Sequence, residues 1–275
     1  MSKKSVFGIC SICGKYTKLS FEHVPPKSTF NDTCVKAIPL KEVLNAENPD
    51  RKPWEISDLK GKTLQKGSGG YYLCQDCNSY FGSWYVDHYK KFVHSICSVA
   101  NEMKKQNAKS VEHLQLEGIK PLAVYKQIIA MFCDINEGTF GDNKIRDYLL
   151  NKEDNCLNTD KYKVYMYIPD GNVSKQIGLN AIIPICNPNE MFLVSEIVSF
   201  PVGFLLCIDK PKHITVGEGY LEDLSPFANT PYDDYSNIDI SLNVLDVNTM
   251  NVMDYRSERE VLQDKAINED IIKQK

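Results

Sequence analysis

Two Cys-x-x-Cys pairs, Cys10/Cys13 in "CSIC" and Cys74/Cys77 in "CQDC", constrain this chain more than any other feature. Two such knuckles offer four thiolates to one tetrahedral ion, the donor set of a structural zinc site. Compact zinc modules separate their pairs by roughly 15 to 20 residues, whereas sixty residues lie between Cys13 and Cys74. A metal here would therefore staple a long excursion of the chain. The other six cysteines (Cys34, Cys97, Cys133, Cys156, Cys186 and Cys207) are scattered and read as small buried hydrophobes. A disulfide framework is not the expectation, because the start "MSKKSVFGIC" carries no apolar run of signal-peptide length and a cytoplasmic setting is predicted. No stretch is long and apolar enough to predict a membrane span.

The excursion opens with "LSFEHVPPKSTF", residues Leu19 to Phe30. Pro25 and Pro26 stop a helix or a ladder, so the segment predicts a strand that ends abruptly at Glu22-His23. Side chains alternate along a strand, so the carboxylate and the imidazole face opposite ways. A neutral histidine can take a proton from water near pH 7, and hard carboxylate oxygen suits magnesium or manganese rather than the soft ion of the thiolate site.

The order Cys-x-x-Cys, then "FEHVPP", then "CQDCN" leading into a helix resembles the HNH endonucleases over about the first 105 residues. The resemblance implies a zinc-stapled ββα-metal core with a structural zinc on Cys10, Cys13, Cys74 and Cys77. It also implies hydrolysis of nucleic-acid phosphodiesters, with DNA as the expected substrate and 5′-phosphate and 3′-hydroxyl products. His23 takes the place of the general base, Glu22 that of a ligand to a catalytic Mg2+ or Mn2+, and Asn78 that of the orienting amide. The last family position is often histidine; here Asp87 is taken as the second metal ligand, with His88 in reserve because it falls on an apolar helix stripe. Lys27, Trp84 and Lys91 are candidate nucleic-acid contacts, each with an equally plain reading as packing or solvated surface.

Between Phe30 and Tyr71 lies a polar, Pro- and Gly-punctuated insert, whose glycines predict a turn into the strand "YYLC". Phe81, Tyr85, His88, Phe92, Ile96, Val99 and Met103 recur at steps of three and four, which predicts a helix from Ser79 to about Lys105 capped by Asn78. A second helix is predicted over "KPLAVYKQIIAMFCDIN", with Pro121 in its first turn. Beyond Asn151, "KYKVYMYI", "IGLNAIIPI", "MFLVSEIVSF" and "VGFLLCI" read as strands of an antiparallel sheet. The expected class is α+β: a nuclease-like domain over 1–105, an α+β domain over 106–255 and a charged tail over 256–275. Residues 1–100 carry a net +5 and the remainder −9, so the basic part coincides with the cysteine pairs. The acidic remainder reads as a recognition or regulatory part able to take a protein partner, an architecture resembling bacterial phage-defence or restriction effectors. The rival expectation is a non-catalytic zinc ribbon that binds nucleic acid or supports assembly, which has no use for Glu22-His23.

Overall fold

A computed structural model describes residues 5–39, 42, 50, 58–170, 174–182, 190–214 and 220–246. They form two compact units, one built from residues 5–32 and 68–246 and a small one from the described part of 33–67. The small unit corresponds to the polar insert; in it β3 (Val35–Ala37) pairs antiparallel with β4 (Lys62–Leu64). The expected charged tail lies outside the described residues.

The large unit begins with β1 (Val6–Ile9) and β2 (Tyr16–His23), joined through the first cysteine knuckle. β5 (Gly69–Cys74) completes a three-stranded antiparallel sheet in the order β1-β2-β5. Strand β2 ends at His23, directly before Val24-Pro25-Pro26. Gly69 and Gly70, expected in a turn, are already part of β5. Gly69 has a packing reason, since a Cβ there would overlap the Glu22 carbonyl oxygen and sit 2.9 Å from His23 Cα.

The helical run starts earlier than predicted. Helix α1 (Gln75–Phe81) is capped by Cys74, whose sulfur accepts from the Cys77 amide at 3.5 Å, so Asn78 is inside the helix. It passes through a π-helical turn, Gly82–Val86, into α2 (Asp87–Gln106). The wide turn delays the apolar stripe by up to one residue. Tyr89 and Ala100 are buried where His88 and Val99 were expected, and those two sit half-buried at the edge of the stripe.

Helix α3 (Pro121–Ile135) begins with Pro121 as predicted and is buried along nearly its whole length. Helix α4 (Asn143–Leu150) follows, capped by the Asp142 carboxylate. β6 (Ser110–Ile119), β7 (Tyr162–Asp170), β8 (Lys175–Ile182), β9 (Phe192–Ser199), β10 (Val202–Ile208), β11 (Glu222–Asp223) and β12 (Ser236–Asp246) form a seven-stranded sheet. Its order is β6-β12-β7-β10-β9-β8, with β11 also on β7. Four of these strands stand where the alternating segments placed them. Pairing is antiparallel throughout except between β12 and β7.

No domain boundary falls near residue 105. One hydrophobic core runs without a break from Cys10 to Leu242, because α2 buries Phe92, Ile96 and Met103 while packing against β6 and α3. Of the scattered cysteines, Cys133 and Cys207 are buried as expected, but Cys34 and Cys156 are exposed and Cys97 is intermediate; Cys186 lies outside the described residues.

Lys126 shows how this core accommodates a cation. It is fully buried on α3, and its ammonium donates to the carbonyls of Tyr148, Asn151 and Lys152 at 2.8, 2.6 and 3.2 Å, closing the C-terminal end of α4. Burial pulls its pKa down to about 7. Replacing it by Ala leaves three carbonyls without their donor, and stability should fall by about 3 kcal/mol in urea unfolding; an unchanged midpoint would mean that solvent replaces the ammonium without cost.

Candidate functional site

The two knuckles meet. Cys10 to Cys13 form the turn between β1 and β2, where the Gly14 amide donates to the Cys10 carbonyl at 2.9 Å with Gly14 at φ +70°, a conformation glycine adopts without strain. Cys74 ends β5 and Cys77 lies in the first turn of α1. The four sulfurs lie within 4.8 Å of one another, with Cys13 and Cys74 3.9 Å apart. Tetrahedral zinc–thiolate bonds of about 2.3 Å imply sulfur–sulfur spacings of roughly 3.8 Å, so the group could hold a metal ion such as zinc. The electrostatics agree with that fit. A hydrogen bond with Cys77 pulls Cys10 down to about 4, Cys77 is pushed up in return, and burial raises Cys13. Packed thiols cannot all ionise together unless a cation joins them.

From this anchor the chain leads to Glu22, His23 and Asn78. The Asn78 amide donates to Ser20 Oγ at 3.0 Å and is close enough to the Glu22 carboxylate to favour its charged form. Burial pushes Glu22 up to about 7 against the opposing pull of that amide. His23 points to the other face, where its ring meets Phe21 edge-on at 5.0 Å, and Phe21 in turn meets Tyr71 at 5.6 Å. The loop after the strand is latched: the Asn31 amide donates to the carbonyls of Pro25 and Ser68 at 2.6 and 2.7 Å and accepts from the Ser68 amide at 2.7 Å. Gln176 on β8 adds bonds to Val24 O and Ser68 Oγ at 2.5 and 2.9 Å.

Of the remaining expected residues, Lys27 is in the loop after this strand end and the others are on the helical run, which that loop meets where His94 Nε2 donates to Ser28 O at 2.8 Å. Asp87 is exposed on α2, lining an open hollow of about 510 Å³ with Lys90, Lys91, His94, Ser95 and Ser98. Among the described residues the four cysteines are the one converging group of three or more potential metal ligands, so Glu22, His23 and Asp87 are not gathered around a common point. The reason is geometric: Asn78 meets β2 in the first helical segment, whereas Asp87 lies beyond the π turn. His88 is half-buried against Tyr235, and burial and Lys120 lower its pKa. Lys91 donates to Gly118 O at 2.7 Å. Trp84 stacks on Tyr80 at 4.9 Å and packs against the core. Lys27 is exposed.

One carboxylate at this site was not anticipated. Asp134, buried near the end of α3, accepts from Ser11 Oγ at 2.6 Å, inside the first knuckle. Burial raises its pKa well above the usual range, and the charges of Glu22 and Cys10 add to the effect. Its signal was legible as an acidic residue in an otherwise apolar helix, where a charge needs a specific partner.

No protein-family model, curated protein or solved structure matches the chain.

Two outcomes are expected. Purified protein should carry about one equivalent of tightly held metal, released by a thiol-modifying reagent and lost in Cys10→Ser and Cys77→Ser; full metal content in either variant would contradict the four-sulfur site. For Glu22, the folded pKa lies above the unfolded one, so its contribution is complete below about 4.5 and is lost as pH rises through about 7. Glu22→Gln should therefore gain on the order of 2 kcal/mol relative to wild type between pH 4.5 and pH 8, read from urea unfolding at the two pH values; a constant difference would show that Glu22 is not desolvated.

Proposed function

We propose that this chain is a metal-dependent endonuclease of the HNH kind, hydrolysing phosphodiester bonds in nucleic acid, with DNA as the substrate. The observation that supports the reading most is Asn78, which donates to Ser20 on β2 and favours the charged form of the neighbouring Glu22 carboxylate. Glu22 stands one residue from His23, where the end of β2 pairs with the start of β5. The cysteine group, with zinc as its ion, ties the turn before β2 to the junction of β5 and α1.

In this reading His23 takes the proton of the attacking water, a task suited to an imidazole near neutral pH. Asn78 orients the Glu22 carboxylate. Glu22, together with phosphate oxygens of the substrate, would hold a Mg2+ or Mn2+ ion, which supplies positive charge to the phosphoryl group. Among the described residues Asp87 and His88 do not form a converging group of metal ligands with Glu22. That separation favours the second reading, a zinc-ribbon module that binds nucleic acid or supports assembly without cutting it.

Supercoiled plasmid incubated with Mg2+ or Mn2+ separates the two. Wild type should nick it, and His23→Ala should be slower by roughly 100-fold or more with metal content at the cysteines unchanged. Equal cleavage by wild type and variant would remove His23 from the chemistry, and retention of DNA without cleavage would favour the binding module.

A further inference from the structure

The outer part of the small sheet carries a feature that the cleavage chemistry does not use. Register pairs Phe7 with Lys18 and Ile9 with Tyr16, and directly paired residues share a face. All four are exposed, Phe7 by 59%, Ile9 by 65% and Tyr16 by 74%. On the other face Leu19 is buried. Large apolar side chains gathered on one exposed face mark a surface that something covers. The charge around them narrows what that is. From Ser5 to Phe21 the chain has two lysines, Lys15 and Lys18, and no acidic residue; both lysines are exposed. An anion with flat apolar faces complements this surface, and an unpaired nucleic-acid strand is such a ligand.

The position of the face matters as much as its composition. Alternation along β2 puts Tyr16, Lys18, Ser20 and Glu22 on one side, and Asn78 donates to Ser20 on that side. Lys18 therefore lies roughly 13 Å along the strand from Glu22.

We propose that this face is a stacking platform for single-stranded DNA, on which Phe7 and Tyr16 each receive a base while Lys15 and Lys18 meet phosphates, leading the strand along β2 to Glu22. A duplex keeps its base faces stacked inside and cannot use the rings in this way. DNA rather than RNA is assigned because the endonuclease reading takes DNA as its substrate. The inference deepens that reading and rests on it only in taking DNA as the ligand.

The test is fluorescence anisotropy of the full chain, without added divalent metal, using labelled mixed-sequence 12-nucleotide DNA, the RNA of the same sequence and the DNA duplex. The single DNA strand should bind more tightly than the duplex or the RNA. Phe7→Ala and Tyr16→Ala should each weaken it by roughly 5- to 100-fold, and Lys18→Gln should lower the slope of log affinity against log salt by about 0.7. All three side chains are on the surface, so the variants should retain their circular dichroism and metal content. Unchanged single-strand affinity in the Phe7→Ala/Tyr16→Ala double variant overturns the platform, even if plasmid nicking persists. Tight strand binding lost in that variant supports the platform, even if no cleavage occurs. Preferential binding of the RNA overturns the assignment to DNA. Concentration-dependent dimerisation abolished by the double variant, with no strand binding, would assign the face to a second copy of the chain instead.

Discussion

Convergence of four sulfurs is the constraint on which the rest of the small sheet depends. Cys10 and Cys13 sit in the turn between β1 and β2, and Cys74 and Cys77 sit where β5 becomes α1. Drawing them within 4.8 Å closes a loop of sixty residues, whose entropy cost grows only slowly with its length. The large polar excursion can therefore be carried between the pairs without loosening the anchor. Antiparallel pairing of β2 with β5 then sets Glu22 against Gly70 and His23 against Gly69, and the helix that starts at Cys74 brings Asn78 over Ser20 and Glu22.

The anchor is also joined to the larger body. Ser11, between two of the cysteines, donates to Asp134 on the buried helix α3, and Arg146 on α4 donates to the carbonyl of Ile12 at 3.1 Å. At the other end of β2, Gln176 from the seven-stranded sheet binds Val24 and Ser68. Both ends of the strand carrying Glu22-His23 are thus fastened to elements far away in sequence. That arrangement suits a site that must hold its geometry, and it explains why no boundary separates the cysteine-bearing part from the helices and strands beyond residue 105.

Much of this was legible from local pattern. The cysteine pairs, the stop at Pro25-Pro26, the helix after Pro121 and the four alternating strands each depend on residues close together in the chain, where spacing and backbone restriction speak directly. Less legible were features set by distant partners. His88 and Val99 fit the helical period, but the π turn at Gly82–Val86 rotated the stripe toward Tyr89 and Ala100. Strand β12 was legible but not predicted, since Ile238, Ile240, Leu242 and Val244 alternate with Asp239, Ser241 and Asn243, whereas β6 has a weaker pattern and is paired along its length with β12. Asp87 followed Asn78 at a suggestive interval, yet the turn between them leaves it on an exposed surface away from Glu22.

The amino-acid order by itself determined which atoms can bind a soft ion, where β2 must end, and that a carboxylate and an imidazole stand side by side at that end, because these depend on side-chain chemistry and on the missing amide hydrogens of two prolines. Only the tertiary structure decided which carboxylates share a field. Asp134 joins Glu22 and Cys10, and Asp87 does not, because that outcome depends on how α3 packs beneath the knuckle and how the helix turns after Phe81, and neither is written in any short stretch of chain.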